Sequence, residues 1–283
     1  MSADGRAKRA AEPRPVLKWA GGKSRSLPHI LRELPEKIGT YYEPFMGGAA
    51  VFFALASQKR FKNAVLSDRN PALVNVYSAI KKDVESVIRA LAEHRYDRDE
   101  YYRIRAIAPE TLDPFQQAAR LIYLNKTGYN GLYRVNSKGQ FNVPFGRYKS
   151  PRICDEDALR AAARVLRGVR LHVADFENAA HEAERGDAVY FDPPYVPVSK
   201  TASFTAYHDS EFGRAGHERL AAAFDRLAKR GVAVVLSNSD TTLTRRLFSR
   251  WEPKQVPVTR PINSKGSARG TVYEILVAHR PRR

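Results

Sequence analysis

One cysteine, Cys154, stands in a chain of 283 residues. That excludes an intramolecular disulfide framework and any zinc site built on several cysteines. Long apolar runs are missing too. The longest aliphatic stretch, Val232 to Leu236, is far too short to cross a bilayer. The opening residues, Met1-Ser2-Ala3-Asp4-Gly5-Arg6, are charged and lack the apolar run of a secretory signal. The seven histidines are scattered, without the His-x-Glu and Cys-x-x-Cys pattern of zinc deaminases, so single ones such as His172 and His208 read as structural. There is no Gly-x-Ser-x-Gly elbow for a hydrolase. Glycine and proline, seventeen of each, are at ordinary levels and exclude collagen-like and low-complexity chains. These absences lead us to expect a cytoplasmic, metal-free protein with no membrane partner, and 43% hydrophobic residues are enough for a sizeable core.

Negative charge is scarce where positive charge is dense. The formal net charge is +18. Residues 126–152 hold six Lys and Arg and no acid; residues 245–269 hold seven against one, Glu252. These two stretches carry two thirds of the excess in under a fifth of the chain. Evenly spread solubilising charge does not look like this, whereas a footprint for a phosphate backbone does.

Residues 1–14 read as a disordered tail. A glycine turn, Lys18-Trp19-Ala20-Gly21-Gly22-Lys23-Ser24, precedes a helix over 27–34. A strand over 41–45 runs into Met46-Gly47-Gly48, a helix covers 49–58, and a strand over 63–67 ends on Asp68. Glycines after a strand, then an acid about 20 residues on, give the doubly wound nucleotide-binding layout. Helical spacing marks 75–108 and 114–125. Leu132–Val135 and Gln140–Val143, joined by Asn136-Ser137-Lys138-Gly139, read as a hairpin within 128–149. The α/β alternation resumes with helix 156–166, strands 169–174 and 187–191, helix 210–230, strand 232–237 and helix 241–248. Strands near 254–260 and 271–278 form a terminal antiparallel pair. The expected fold is therefore α/β, a Rossmann-like sheet over 15–78 and 154–283, with a helical and hairpin block over 79–153 inserted in it.

Asp192-Pro193-Pro194-Tyr195 is the most informative tetrapeptide. It follows the apolar run Ala188-Val189-Tyr190-Phe191, so it lies past the carboxyl end of a buried strand, where open α/β sheets bind ligands. The two prolines fix two φ angles and leave carbonyls facing outward. A carboxylate, a rigid carbonyl and an aromatic ring can accept both protons of a planar exocyclic amine and stack on its ring. The plain alternative is a Pro-Pro turn capped by Asp. Gly22-Lys23-Ser24 mimics the end of a phosphate-binding loop, but that pattern needs glycine where Leu17 stands. Tyr129, between Gly128 and Asn130 in a basic loop, is the aromatic best placed to meet unstacked bases.

These segments together resemble the DNA adenine methylases of the Dam type. The resemblance runs from Leu17 to Val277. It rests on Lys18–Lys23, Glu43-Pro44-Phe45-Met46-Gly47-Gly48, Asp68-Arg69-Asn70 with Leu73, Asn125 to Tyr148, Asp192–Tyr195, Thr205-Ala206-Tyr207-His208, Ser237-Asn238-Ser239-Asp240 and Arg260 to Glu274. It implies S-adenosyl-L-methionine as cofactor, double-stranded DNA as partner and a monomeric enzyme. In the family, Asp192 and the Pro193 carbonyl would bind N6 of a flipped adenine, with Pro194 in the same loop and Tyr195 stacked on the ring. Trp19, Lys23, Glu43, Phe45, Gly47, Asp68 and Asp192 match cofactor positions, and Asp175 and Phe176 would flank the adenosine. Tyr129 and Asn130 would hold the gap left by the flipped base. Leu132, Arg134 and Pro144 would read base edges, Tyr148 would belong to the DNA-binding set, and Lys18 would touch the outer guanine, which favours GATC. Aspartate rather than asparagine at 192 favours a nucleobase over a protein glutamine amide; cytosine N4 and RNA stay open on the residues alone. One departure stands out: Ala49 occupies the second glycine position of the family's Gly-x-Gly.

Overall fold

The structure, a computed structural model, describes residues 11–19, 21–23, 25–197, 212–259 and 271–281. The first ten tail residues, Ala20, Ser24, the Thr205–His208 motif and residues 260–270 of the last motif lie outside the described residues. Contacts divide the chain into two compact units. One comprises Met1–Gly22 with Pro71–Arg167, the other Lys23–Asn70 with Gly168–Arg283. These boundaries differ from the 79–153 insert expected from composition, because the helix from Pro71 packs along its length on helices of the first unit.

Along the chain the helices are α1 (Leu27–Glu33), α2 (Ala50–Ser57), α3 (Pro71–Ala92), α4 (Arg98–Ala106), α5 (Pro114–Thr127), α6 (Glu156–Leu166), α7 (Phe176–Ala179), α8 (Arg214–Lys229) and α9 (Thr242–Leu247). The strands are β1 (Ile38–Glu43), β2 (Phe61–Asp68), β3 (Arg170–Val173), β4 (Ala188–Phe191), β5 (Ala233–Ser239), β6 (Lys254–Thr259) and β7 (Thr271–His279). Among the described residues no helix is long and apolar enough to cross a membrane.

The strands form one sheet in the order β3-β2-β1-β4-β5-β7-β6, all within the second unit. β1 to β5 are parallel, and β7 runs antiparallel between β5 and β6, as the sequence predicts. β4 and β5 are buried at every position, the pattern of central parallel strands covered on both faces. The helix α8 turns Leu220, Ala223, Phe224 and Leu227 to the core, at the i, i+3, i+4, i+7 spacing of an apolar stripe. Phe45, Phe176, Phe191 and Phe212 pack there in stacked and edge-on pairs. The chain order reverses between β1 and β4, so the residues just beyond Glu43 and Phe191 sit at the sheet's topological switch point, where such sheets take their ligands.

In the first unit α5 is buried on nearly all sides, and α3 packs against both α5 and α6. Start signals are explicit. Asp97 caps α4, Asp113 and Gln116 form a capping box ahead of Pro114 on α5, and Asp155 caps α6. Arg120, buried in α5, donates to the Ile104 and Arg105 carbonyls and so closes the end of α4. The helical stretch expected over 75–108 is interrupted twice. At Asp83 the backbone turns extended and the side chain caps the next turn through Glu85 N and Ser86 N, and residues 93–97 separate α3 from α4.

The hairpin is less regular than its pattern predicts. Its arms meet at two isolated bridges, Gly128 with Phe145 and Val135 with Phe141, not in a continuous ladder. The reason is local. Tyr129–Gly131 folds into a 3-10 turn with Asn130 and Gly131 both at positive φ, and Pro144 has no N–H to offer the ladder.

Candidate functional site

The chemistry-bearing side chains of the second unit gather at its switch point. Beyond β1 the chain turns through Gly47 (φ 46°) and Ala49 (φ 54°) into α2. The left-handed backbone at 49 explains why glycine suits this position, since an L-residue there costs about 1–2 kcal/mol. Beyond β2, Asp68 accepts hydrogen bonds from the backbone N–H of Gly47 (3.1 Å) and Asn70 (3.0 Å), tying the acid to the glycine turn. Burial pushes its carboxyl up from the usual range, with those N–H groups opposing. Glu43 is buried and accepts from the Tyr41 hydroxyl (2.9 Å) and Phe52 N (3.0 Å). Burial raises its pKa to about 8, so it is mostly protonated at neutral pH.

Beyond β4, Asp192 is held at both oxygens. Lys23 Nζ lies 2.7 Å from Oδ2 and the Ser237 hydroxyl donates to Oδ1 at 3.2 Å. Burial raises the Asp192 carboxyl while the Lys23 ammonium pulls it down. The same ammonium lies 4.8 Å from the centre of the Tyr195 ring. Tyr195 donates to Glu274 on β7 (3.1 Å), and Asn238 on β5 accepts from the next backbone amide, Val196 N (3.2 Å). Side chains of the two neighbouring strands thus fix the tetrapeptide at both ends. Sequence reading had Ser237, Asn238 and Glu274 inside its motifs but gave them no role. The signal available was a polar Ser-Asn-Ser at the end of an apolar strand, where polar residues need partners.

The other residues expected at the cofactor are placed as follows. Asp175 caps α7 and pairs with Arg219. Phe176 is 1% exposed with its ring in the aromatic core, so what it can offer a ligand is backbone. Phe45 is half-buried against Phe176. Trp19 belongs to the first unit, its ring stacked on Tyr133 at 5.4 Å. The residues at the switch point fit an adenosine-bearing group: a turn whose positive-φ residues present backbone, an acid clamped beyond β2, and an aromatic beside them.

The residues expected to meet DNA all lie in the first unit. The Asn125 amide, buried at the end of α5, donates to the Lys18 (2.7 Å) and Gly131 (2.8 Å) carbonyls and accepts from Lys18 N (2.8 Å). A Cβ on Gly131 would lie 2.6 Å from Lys18 Cδ, so glycine is required there for space as well as for its φ of 63°. Around this joint Tyr129, Asn130, Leu132, Arg134 and Pro144 are exposed, Tyr129 to 52%. Arg134 reaches across the hairpin to Asn142 Oδ1 (2.7 Å) and O (3.2 Å). Tyr148 is half-buried; its hydroxyl donates to the Gly128 carbonyl (3.0 Å) and its ring lies 4.5 Å from Lys18 Nζ.

Comparison with known proteins gives a consistent result. Residues 19–260 match the family described as "D12 class N6 adenine-specific DNA methyltransferase". The type II methyltransferase M1.LlaDCHI of Lactococcus lactis subsp. cremoris is 40% identical over 274 residues, covering 94% of this chain and 95% of that one. The type II methyltransferase M.MjaIII of Methanocaldococcus jannaschii is 40% identical over 285 residues, covering 94% and 99%. The DNA adenine methylase of Escherichia coli strain K12 is 36% identical over 272 residues, covering 95% and 96%. With a family match over most of its length and relatives aligned from end to end, the chain belongs to the D12 class of N6 adenine-specific DNA methyltransferases, enzymes that use S-adenosyl-L-methionine to methylate adenine in DNA.

Proposed function

We propose that the substrate is the adenine of GATC in double-stranded DNA, swung out of the stack so that N6 meets the loop from Asp192 to Tyr195. The observation that carries this reading is the setting of Asp192, a carboxylate at the switch point with an ammonium on one oxygen and a hydroxyl on the other. Asp192 and the Pro193 carbonyl accept hydrogen bonds from the N6 amine, Pro194 keeps the loop stiff, and Tyr195 covers the purine ring. Bound S-adenosyl-L-methionine supplies an electrophilic methyl group whose bonding pair stays on sulfur as the bond breaks. N6 forms the new C–N bond and sheds one proton, which Asp192 takes. The carboxylate orients the amine and offsets its growing positive charge, and does not deprotonate it beforehand.

On the cofactor side, Asp68 accepts ribose or amino-group hydrogen bonds, Gly47 lets backbone approach closely, and Trp19, Lys23, Glu43, Phe45, Asp175 and Phe176 complete the set. Residues 79–153 serve as the target-recognition domain, and its hairpin reads the site. Tyr129 and Asn130 fill the gap in the stack. Lys18 meets the outer guanine, Arg134 takes guanine O6 and N7, Leu132 and Pro144 suit a thymine methyl, and Tyr148 braces Lys18. The protein works as a monomer in the cytoplasm of a bacterium or of a phage's host.

Sequencing the methylated adenines of DNA exposed to protein and cofactor tests this. Methylation within GATC is the expected outcome; methylation confined to another sequence would displace GATC. Asp192→Asn keeps the side chain's shape and removes its charge. Its turnover is expected to fall on the order of 10³-fold, with DNA affinity nearly unchanged. Normal turnover in that variant would remove Asp192 from the reaction.

A further inference from the structure

Ser237 is 1% exposed on β5, and its Oγ lies between two partners: the Tyr190 hydroxyl at 2.7 Å and Asp192 Oδ1 at 3.2 Å. A hydroxyl has one proton to give, and an ionised carboxylate only accepts. The Ser237 proton therefore points at Asp192, and Tyr190 must donate to Ser237. Tyr195 also faces Ser237, but its own proton goes to Glu274, and a carboxylate outcompetes a phenol oxygen for the serine proton. Tyr190 is 1% exposed and burial raises its phenol well above the usual value, so it remains a donor throughout the working pH range.

We propose that Ser237, directed by Tyr190, is a positioning residue for the methyl transfer, aiming Oδ1 of Asp192 and keeping that carboxylate ionised while Lys23 holds Oδ2. This rests on the reading that Asp192 receives the N6 amine. Among the described residues, the titratable and charged groups facing Asp192 are Lys23 ahead of α1, Tyr41 and Glu43 of β1, Tyr190 of β4 and Tyr195 of its own loop. Glu43 is protonated below pH about 8 and adds no negative charge there, and the tyrosines are uncharged. Lys23 and Ser237 therefore work together against the burial that favours the neutral acid. Each carboxylate oxygen has two acceptor positions, so both can be held and still leave room for N6.

The test is the single-turnover methylation rate of the intact enzyme as a function of pH, with saturating cofactor and duplex DNA. Ser237→Ala is expected to move the acid limb upward by roughly one pH unit, the effect of losing a hydrogen bond to a charged group. The rate on the alkaline side should largely recover, and KM for DNA and cofactor should be unchanged. Ser237→Thr, which keeps the hydroxyl, should restore the profile. Tyr190→Phe frees the serine proton to turn and should move the limb in the same direction by less. A Ser237→Ala rate lowered by one factor at every pH, with the limb unmoved, would overturn the proposal. If that variant does not fold, an unmoved limb in Tyr190→Phe does the same. Failure of the underlying reading looks different: Asp192→Asn would then keep its turnover, whatever Ser237 does.

Discussion

Asn238 and Asn125 invite comparison because each is a buried asparagine near the end of an apolar element, holding the backbone of a functional segment. Asn238 is the penultimate residue of β5 and its Oδ1 accepts from Val196 N and Ser239 N. Asn125, near the end of α5, binds both backbone groups of Lys18 and the carbonyl of Gly131. What they hold differs. The loop from Asp192 to Tyr195 is also gripped at its side chains by Lys23, Ser237 and Glu274 and stiffened by two prolines. The hairpin is gripped at its base by Asn125 and along its inner side, where Tyr101 and Arg105 donate to the Val143 carbonyl and Trp19 stacks on Tyr133, while side chains at its tip such as Lys138 are exposed. On the proposed roles, the chemistry demands one geometry, which suits a loop held at Asp192, Tyr195 and Val196. On the proposed roles, reading a duplex demands a fixed register but adjustable contacts, which suits a hairpin held on its inner side with exposed side chains at its tip.

Removing the two amides should separate these roles with the largest effects. Asn125→Ala leaves three backbone groups without their partner, and each unsatisfied buried group costs about 1–3 kcal/mol. A marked fall in Tm is expected, and in the folded fraction a loss of discrimination among single-base variants of the target, with the rate on the best site less affected. Asn238→Ala strands two N–H groups and should cost turnover while leaving discrimination intact. Calorimetry together with methylation of a set of variant duplexes reads both. Identical profiles for the two variants would break the comparison.

Within the hairpin a finer contrast is expected. Arg134→Ala should cost roughly 1–3 kcal/mol and relax specificity at one base pair, whereas Lys138→Ala should weaken all sequences alike and lower the salt dependence by about one counterion. Binding titrations at several salt concentrations measure this. Uniform losses in both variants would show that Arg134 grips phosphate and does not read bases.

The two regions were also unequally legible in the sequence. The strands, their order of appearance and the Asp-Pro-Pro-Tyr loop could be read because buried parallel strands leave continuous apolar runs and prolines leave few backbone choices. The antiparallel end of the sheet could be read for similar reasons. The contacts of Ser237, Asn238 and Glu274 could not. They are side-chain pairings between strands distant in sequence, and which polar residue meets which depends on register. In the hairpin the alternating pattern suggested two strands, but the left-handed pair Asn130 and Gly131 and the missing N–H of Pro144 override it. The space needed by Gly131 is set by Lys18, more than a hundred residues away in sequence, and no local signal contains it.

The last effect concerns Glu43 and isolates what burial alone does at the switch point. Its folded pKa of about 8 lies above the ordinary value of 4.5, because burial disfavours the charged form more than Tyr41 and Phe52 N favour it. Between these values the unfolded chain has lost the proton and the folded chain keeps it, so stability is full below pH about 4.5 and declines as pH rises toward 8. Glu43→Gln cannot titrate, and its amide oxygen can still accept from Tyr41 and Phe52 N. The variant's advantage over the wild type should be small near pH 5 and grow by about 1.4 kcal/mol per pH unit toward pH 8, as urea unfolding at both pH values would show. A stability difference that stays constant with pH would mean that Glu43 is ionised in the folded protein. The switch point would then hold two buried negative charges, Glu43 and Asp192, and Lys23 would have to balance both.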